Sequence, residues 1–186
     1  MKFEFQPLTS ERFSDFEQLF GARGACEGCW CMYWRLHRKE YEKGRGDLNH
    51  EAMKQLVEEG TIPGILAYAD GEPVGWCSLG PRKDYIRFET SRLFKPIDDK
   101  EVWSIVCFFV QRDWRGKGVQ TQLLQYAVEY CRSRKVKILE GYPHVPSKEK
   151  MPDAFAWTGI AKAFLKAGFQ EVAQPSKTRR IMRCYL

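Results

Sequence analysis

The feature that most constrains this chain is an apolar strand that ends in a glycine turn and then becomes helical. Val102–Val110 is apolar on both faces, so it needs cover on both sides and belongs at the centre of a sheet. Gly116 and Gly118 flank Lys117 directly after it. Leu123, Leu124, Ala127, Val128 and Cys131 then recur at helical spacing, which predicts a helix to about Arg134. Val136–Glu140 reads as the next strand. A strand, a crossover helix and a further strand in this order predict a parallel pair at the heart of the sheet.

The flanking sequence supplies the other elements. Lys2–Leu8 reads as an edge strand, and Ser10 is placed to cap a helix with Phe13, Phe16, Leu19 and Phe20 on one face. Asn49 is placed to cap the next helix, with Met53, Leu56 and Val57 inward and Gly60 as its stop. Ile65–Ala69 and Pro73–Leu79 flank Asp70-Gly71-Glu72, a hairpin turn. Beyond the crossover, Asp153–Ala167 reads as a helix stopped by Gly168, and Phe169–Ala173 with Arg180–Tyr185 as a closing strand pair. No repeat or linker divides the chain, and 186 residues suit one domain, residues 1–186. The fold class is therefore α/β with a mixed sheet.

Composition excludes several classes. With 44% hydrophobic and 29% charged residues, the chain is neither disordered nor collagen-like. Its longest apolar run, Ile105–Val110, is far short of the roughly 18 residues of a membrane span. Met1-Lys2-Phe3-Glu4-Phe5 alternates apolar and charged residues, unlike a signal peptide. A cytoplasmic location with reduced cysteines is the expectation, and the odd count of seven agrees with it. Thirty basic against 24 acidic residues leave a net charge of +6, but the basic residues are dispersed. Neither a nucleic-acid nor a membrane partner is expected.

The turn at Arg115-Gly116-Lys117-Gly118 is the chemically informative part. Glycines there let backbone N–H groups approach a ligand, and the free amides of the helix's first turn favour an anion. The spacing is not that of a Walker loop, and the third glycine of a dinucleotide fingerprint is missing. Arg115-Gly116-Lys117-Gly118, between an apolar strand and a Leu-Leu helix, resembles motif A of the GNAT superfamily of N-acetyltransferases. Ile138-Leu139-Glu140-Gly141-Tyr142-Pro143 resembles that family's fifth strand. Phe164-Leu165-Lys166-Ala167-Gly168-Phe169 resembles its helix-to-Gly-Phe junction. The resemblance implies a mostly antiparallel central sheet with helices on both faces and a splayed central parallel strand pair. It also implies acetyl-CoA as co-substrate. Main-chain groups of Phe108 and Val110 would pair with the pantetheine arm. Amides of Arg115, Gly116, Lys117, Gly118, Val119 and Gln120 would hold the pyrophosphate. Residues 21–48, rich in cysteine and aromatic residues, would be an insertion on the acceptor side. Two positions depart from the family pattern: Asp113 precedes the turn where Gln or Arg is usual, and Phe164 stands where many members carry an acidic tyrosine.

Acetyl transfer needs a base for the amine and tolerance of the leaving thiolate. Glu140, ending the strand beside the co-substrate, is the expected base. Tyr142, two residues on and on the same side, is the expected replacement acid. His144 is the second choice of base. Cys107, among Ile, Val and Phe, reads as a packing residue rather than a nucleophile. Cys26, Cys29 and Cys31 with His37 resemble metal-ligand spacing, yet one cluster supplies too few well-placed ligands, so no metal is expected. Arg82 could meet an acidic group of the acceptor. The function expected is N-acetylation of a primary amine on a small molecule or peptide, by direct attack. A homodimer is compatible with the sequence. The alternative is a CoA-binding sensor of the same fold with weak catalysis.

Overall fold

The computed structural model describes residues 2–145 and 157–186. One sheet carries the strand order β1-β2-β3-β4-β5-β7-β6. Its members are β1 (Glu4–Pro7), β2 (Gly64–Ala69), β3 (Glu72–Pro81), β4 (Trp103–Val110), β5 (Ile138–Gly141), β6 (Gln170–Ser176) and β7 (Arg179–Tyr185). The β4–β5 pair is parallel, and the other neighbours run antiparallel. The doubly apolar strand is indeed central, and β1 is an edge. The hairpin between β2 and β3 has a two-residue loop with Asp70 at φ 51° and Gly71 at φ 84°. Two positive φ angles give the primed turn whose twist matches the strands it joins.

The helices are α1 (Phe13–Phe20), α2 (Arg38–Lys43), α3 (Asp47–Glu58), α4 (Arg87–Thr90), α5 (Val119–Ser133) and α6 (Ala161–Lys166). On one face of the sheet, Leu123, Leu124 and Ala127 of α5 are fully buried with Ile65, Cys77 and Ile105. Burying each leucine contributes roughly 1.5–3 kcal/mol. On the other face, Phe16 of α1 and Met53 of α3 pack with Leu66 and Trp76. A further cluster on that side joins Trp34, Tyr85, Phe88 and Phe94 to Val106, Tyr142 and Ile181.

Two expected caps are corrected. The chain passes Ser10 in a 3₁₀ turn, Ser10–Arg12, and α1 begins at Phe13 with no side-chain cap. Asn49 lies inside α3, whose N-cap is Gly46. Its fully buried amide donates instead to the carbonyls of Gly28 (3.1 Å) and Tyr41 (3.3 Å), tying the cysteine-rich segment to α3. Of the expected helix Asp153–Ala167, residues 153–156 lie outside the described residues, and the described helix starts at Ala161.

Candidate active site

The site begins where β4 and β5 part. Their register pairs Trp103 with Leu139, Ser104 with Glu140 and Ile105 with Gly141, and goes no further, while β4 continues to Val110. The β3–β4 register shifts at the same level, with Val106 as the extra residue on β4. A bulge bends the strand that carries it, so β4 diverges from β5 and leaves its far end, Phe108–Val110, open on that side.

The turn after β4 leads straight into α5. Gly116 (φ 74°) and Gly118 (φ 84°) take backbone conformations that side chains disfavour, and a Cβ at either would enter empty space. No side chain caps α5. Arg115 Nε donates to the carbonyl of Val110 at 3.0 Å, fixing the turn to the end of β4. Lys117 places its ammonium 4.8 Å from the Trp114 ring centroid. Open glycines, uncapped helix amides and two cations at one turn fit a diphosphate.

The comparisons with known proteins bear on this arrangement. The chain matches the Acetyltransferase (GNAT) family over residues 30–147, which includes β4, the glycine turn and β5. The chain belongs to the GNAT acetyltransferase family. No curated protein matches this acetyltransferase in sequence. Solved structures share its fold at low identity. One is the PaiA N-acetyltransferase of Thermoplasma acidophilum in complex with coenzyme A, at 15% identity over 100% of both chains, with a TM-score of 0.56. Another is a Drosophila melanogaster polyamine N-acetyltransferase, at 11% identity over 100% of both chains, with a TM-score of 0.59. Ard1 from Thermoplasma volcanium aligns at 14% identity over 100% of this chain and 99% of its own, with a TM-score of 0.54.

Glu140 and Tyr142 do lie together in this acetyltransferase, but deep in the protein. Glu140 is 2% exposed and Tyr142 1%. Arg82 Nη1 donates to Glu140 Oε1 at 3.1 Å, and Arg183 Nε to Glu140 Oε2 at 2.7 Å. The Tyr142 hydroxyl donates to Glu140 Oε1 at 2.6 Å and meets Ser104 Oγ at 2.8 Å. Arg183 also forks onto Asp98 at 2.7 and 3.0 Å. Arg82 completes the network through the Phe94 carbonyl. Burial, and then the charge of Glu140, push the Tyr142 phenol well above its usual range. Arg183 first, against some desolvation, draws the Asp98 carboxyl down. Glu140 is level with Ser104, so Phe108 lies about 13 Å further along β4 at roughly 3.3 Å per residue.

Beyond β5 the chain reaches His144, which bridges to Ile160 and Arg179. Its N–H donates to the Gly159 carbonyl at 2.8 Å, and its carbonyl accepts from Ala161 at 3.1 Å. Gly159 in turn abuts Phe108: a Cβ there would stand 3.0 Å from the ring. Burial, and then the charge of Arg179, lower the His144 pKa, which favours the neutral imidazole. Beside it opens a cavity of about 690 Å³. Trp34 and Trp157, stacked 5.8 Å apart, form its flat wall, with Tyr33 edge-on to both. Tyr33, Trp34 and residues 37–40, all within the stretch expected to form the insertion, contribute to this lining.

The cysteines diverge. Cys26 is exposed, Cys29 is half-buried, and Cys31 is buried under the Trp76 indole, whose N–H points to its sulfur at 3.2 Å. Burial pushes the Cys29 thiol up to about 11. A hydrogen bond with the neighbouring Cys107 thiol, outweighing burial, draws the Cys31 thiol down. Among the described residues, no group of three or more His, Cys, Asp or Glu side chains is arranged to hold a metal ion. Phe164 is fully buried against Phe108 and Phe169. Sequence reasoning ranked His144 second and did not weigh Trp157 or Arg179, because the bridges from His144 to Ile160 and to Arg179 and the stacking of Trp157 on Trp34 join distant stretches of chain.

Proposed function

We propose that this chain transfers the acetyl group of acetyl-CoA to a primary amine of a small molecule or peptide by direct attack. The observation that carries the reading is the parting of β4 from β5 immediately before an uncapped, glycine-lined helix start. Acetyl-CoA, when bound, supplies an acyl group already activated as a thioester. Main-chain groups of Phe108 and Val110 orient the pantetheine arm, and backbone amides from Arg115 to Gln120 hold the pyrophosphate. A backbone N–H of the Phe108–Val110 stretch polarises the thioester carbonyl as a preorganised donor.

His144 takes the proton of the attacking amine. Its backbone is bonded to Gly159, which abuts Phe108, and its lowered pKa keeps it able to accept. Glu140 and Tyr142, expected from the sequence to move the protons, are better suited to positioning. The Glu140 carboxylate is engaged by two guanidiniums and by the Tyr142 hydroxyl, and the buried group lies about 13 Å along β4 from Phe108 at roughly 3.3 Å per residue. They hold β5 and the loop before β4 in place, so that the strand gap keeps its shape. The departing thiolate, with an ordinary pKa near 8.5, needs little help to leave.

The test is thiol release from acetyl-CoA over a panel of amines, with acetylated products identified by mass spectrometry, alongside calorimetry of CoA binding. Release that depends on an amine is the expected result. Tight CoA binding with no release for any amine would favour the sensor reading. No CoA binding at all would overturn both.

A further inference from the structure

We infer that the aromatic cavity takes an acceptor carrying an anionic group, a carboxylate or a phosphate, beside its amine and a flat apolar body. This rests on the acetyltransferase reading only for the word acceptor; the recognition itself follows from the cavity's side chains. Arg87 and Arg179 both line it and both are half-buried. Among the described residues, neither pairs with a carboxylate. Arg87 lies over the Tyr33 ring at 4.0 Å and gives its Nε–H to the Leu36 carbonyl at 3.3 Å, so its remaining N–H groups are without partners among those residues. Arg179 donates one N–H to the Thr158 hydroxyl at 2.6 Å.

A half-buried guanidinium gains more from a charged, hydrogen-bonding partner than a fully solvated one does. The same protein shows such partners a short way off, where Arg82 and Arg183 are balanced by Glu140 and Asp98. Among the described residues no carboxylate lies within ion-pair distance of Arg87 or Arg179, so both guanidiniums are placed to meet an anionic group of a ligand in the cavity. Carboxylates and phosphates match the planar fork of arginine, and both are candidates on that chemistry.

Other features agree. Among the described lining residues, Lys39 adds a cation at the rim against one acid, Glu40, while Arg38 is engaged by Glu42 at 2.8 Å. The indole N–H of Trp34 is buried and has no partner among the described residues. The stacked Trp34 and Trp157 rings suit a flat apolar body. Nearby positive charge lowers the pKa of an incoming amine, which favours the neutral form that attacks. A polyamine, positive at each end, would be repelled.

Matched pairs test the inference by equilibrium binding, independently of turnover. Tyramine, tyrosine and O-phosphorylated tyramine would be titrated by calorimetry into the protein, with and without CoA. Tyrosine compared with tyramine reads the carboxylate, and the phosphorylated compound reads the phosphate. At least one anionic compound should bind tenfold or more tighter than tyramine. Arg179→Gln and Arg87→Gln should each remove most of that preference while leaving CoA affinity intact, which also certifies the fold. Arg179→Lys should retain part of it. Tyramine binding as tightly as both anionic compounds, no binding of any of the three, or a preference that survives both glutamine variants would overturn the inference. Anion preference without CoA binding or thiol release would leave the anion site standing and remove only the transfer reading.

Discussion

The Phe164 ring occupies the space that a side chain at Gly141 would need: a Cβ built there stands 2.1 Å from Phe164 Cε1. This contact seats α6 against the end of β5, and Phe108 and Phe169 meet the same ring edge-on at 6.1 and 5.0 Å. The aromatic residue at this position is part of the core, enclosed on the α5 side of the sheet. Gly141→Ala should therefore destabilise the protein by about 1–3 kcal/mol, the usual cost of overpacking. Phe164→Leu in the same chain should recover part of the loss, as read in urea denaturation. Additive losses in the double variant would mean that the two residues do not share this space.

A second prediction separates positioning from proton transfer at Glu140. Glu140→Gln leaves Arg82 and Arg183 facing a neutral amide inside the protein. Breaking a buried ion pair from one side costs roughly 3–5 kcal/mol. The denaturation midpoint should fall accordingly, while the pH profile of the surviving folded enzyme keeps its shape. A parental midpoint with turnover reduced 10²-fold or more would instead return Glu140 to the role of base.

Much of this was legible in the sequence because local rules and the tertiary fold agreed. The doubly apolar Val102–Val110, the glycine turn and the Leu123–Cys131 stripe each demand one environment, and the fold supplies it. Ser10 and Asn49 were misread because a capping residue type is only a local preference. Asn49 is claimed by carbonyls 8 and 21 residues distant in sequence, which no capping rule contains. At the site, spacing along β5 put Glu140 and Tyr142 on a common face. It could not reveal that Arg183, 43 residues later, and Arg82, 58 residues earlier, close on the carboxylate. The cavity was least legible, since Tyr33, Arg87, Trp157 and Arg179 come from four separate stretches of chain.

The glycine turn gives a third prediction. Gly118 has φ 84° and open space at its Cβ position, directly before the first amide of α5. Gly118→Glu puts a carboxylate where the pyrophosphate is expected and strains the backbone by roughly 1–2 kcal/mol. Gly118→Ala carries the same strain without the charge. Calorimetry should show CoA affinity reduced at least tenfold further by Glu than by Ala. Equal affinities for the two variants would move the diphosphate away from this turn.

The final prediction concerns the acidic limb of the rate profile. Burial, and then Arg179, lower the pKa of His144 below its ordinary value near 6.5. A base works only when unprotonated, so kcat/KM should stay high as pH falls through 6.5 and decline only below it. Removing the nearby positive charge raises that pKa, so Arg179→Gln should shift the limb to higher pH. His144→Gln should abolish the limb and lower turnover by about 10²–10⁴-fold, with CoA affinity unchanged. Stability should follow the same sign. The folded state resists protonating His144 and the unfolded chain does not, so acid favours the unfolded chain more strongly below pH 6.5, and His144→Gln lessens that loss. A limb that persists unmoved in His144→Gln would show that another group takes the amine's proton, and Glu40 at the cavity rim would be the next side chain to replace.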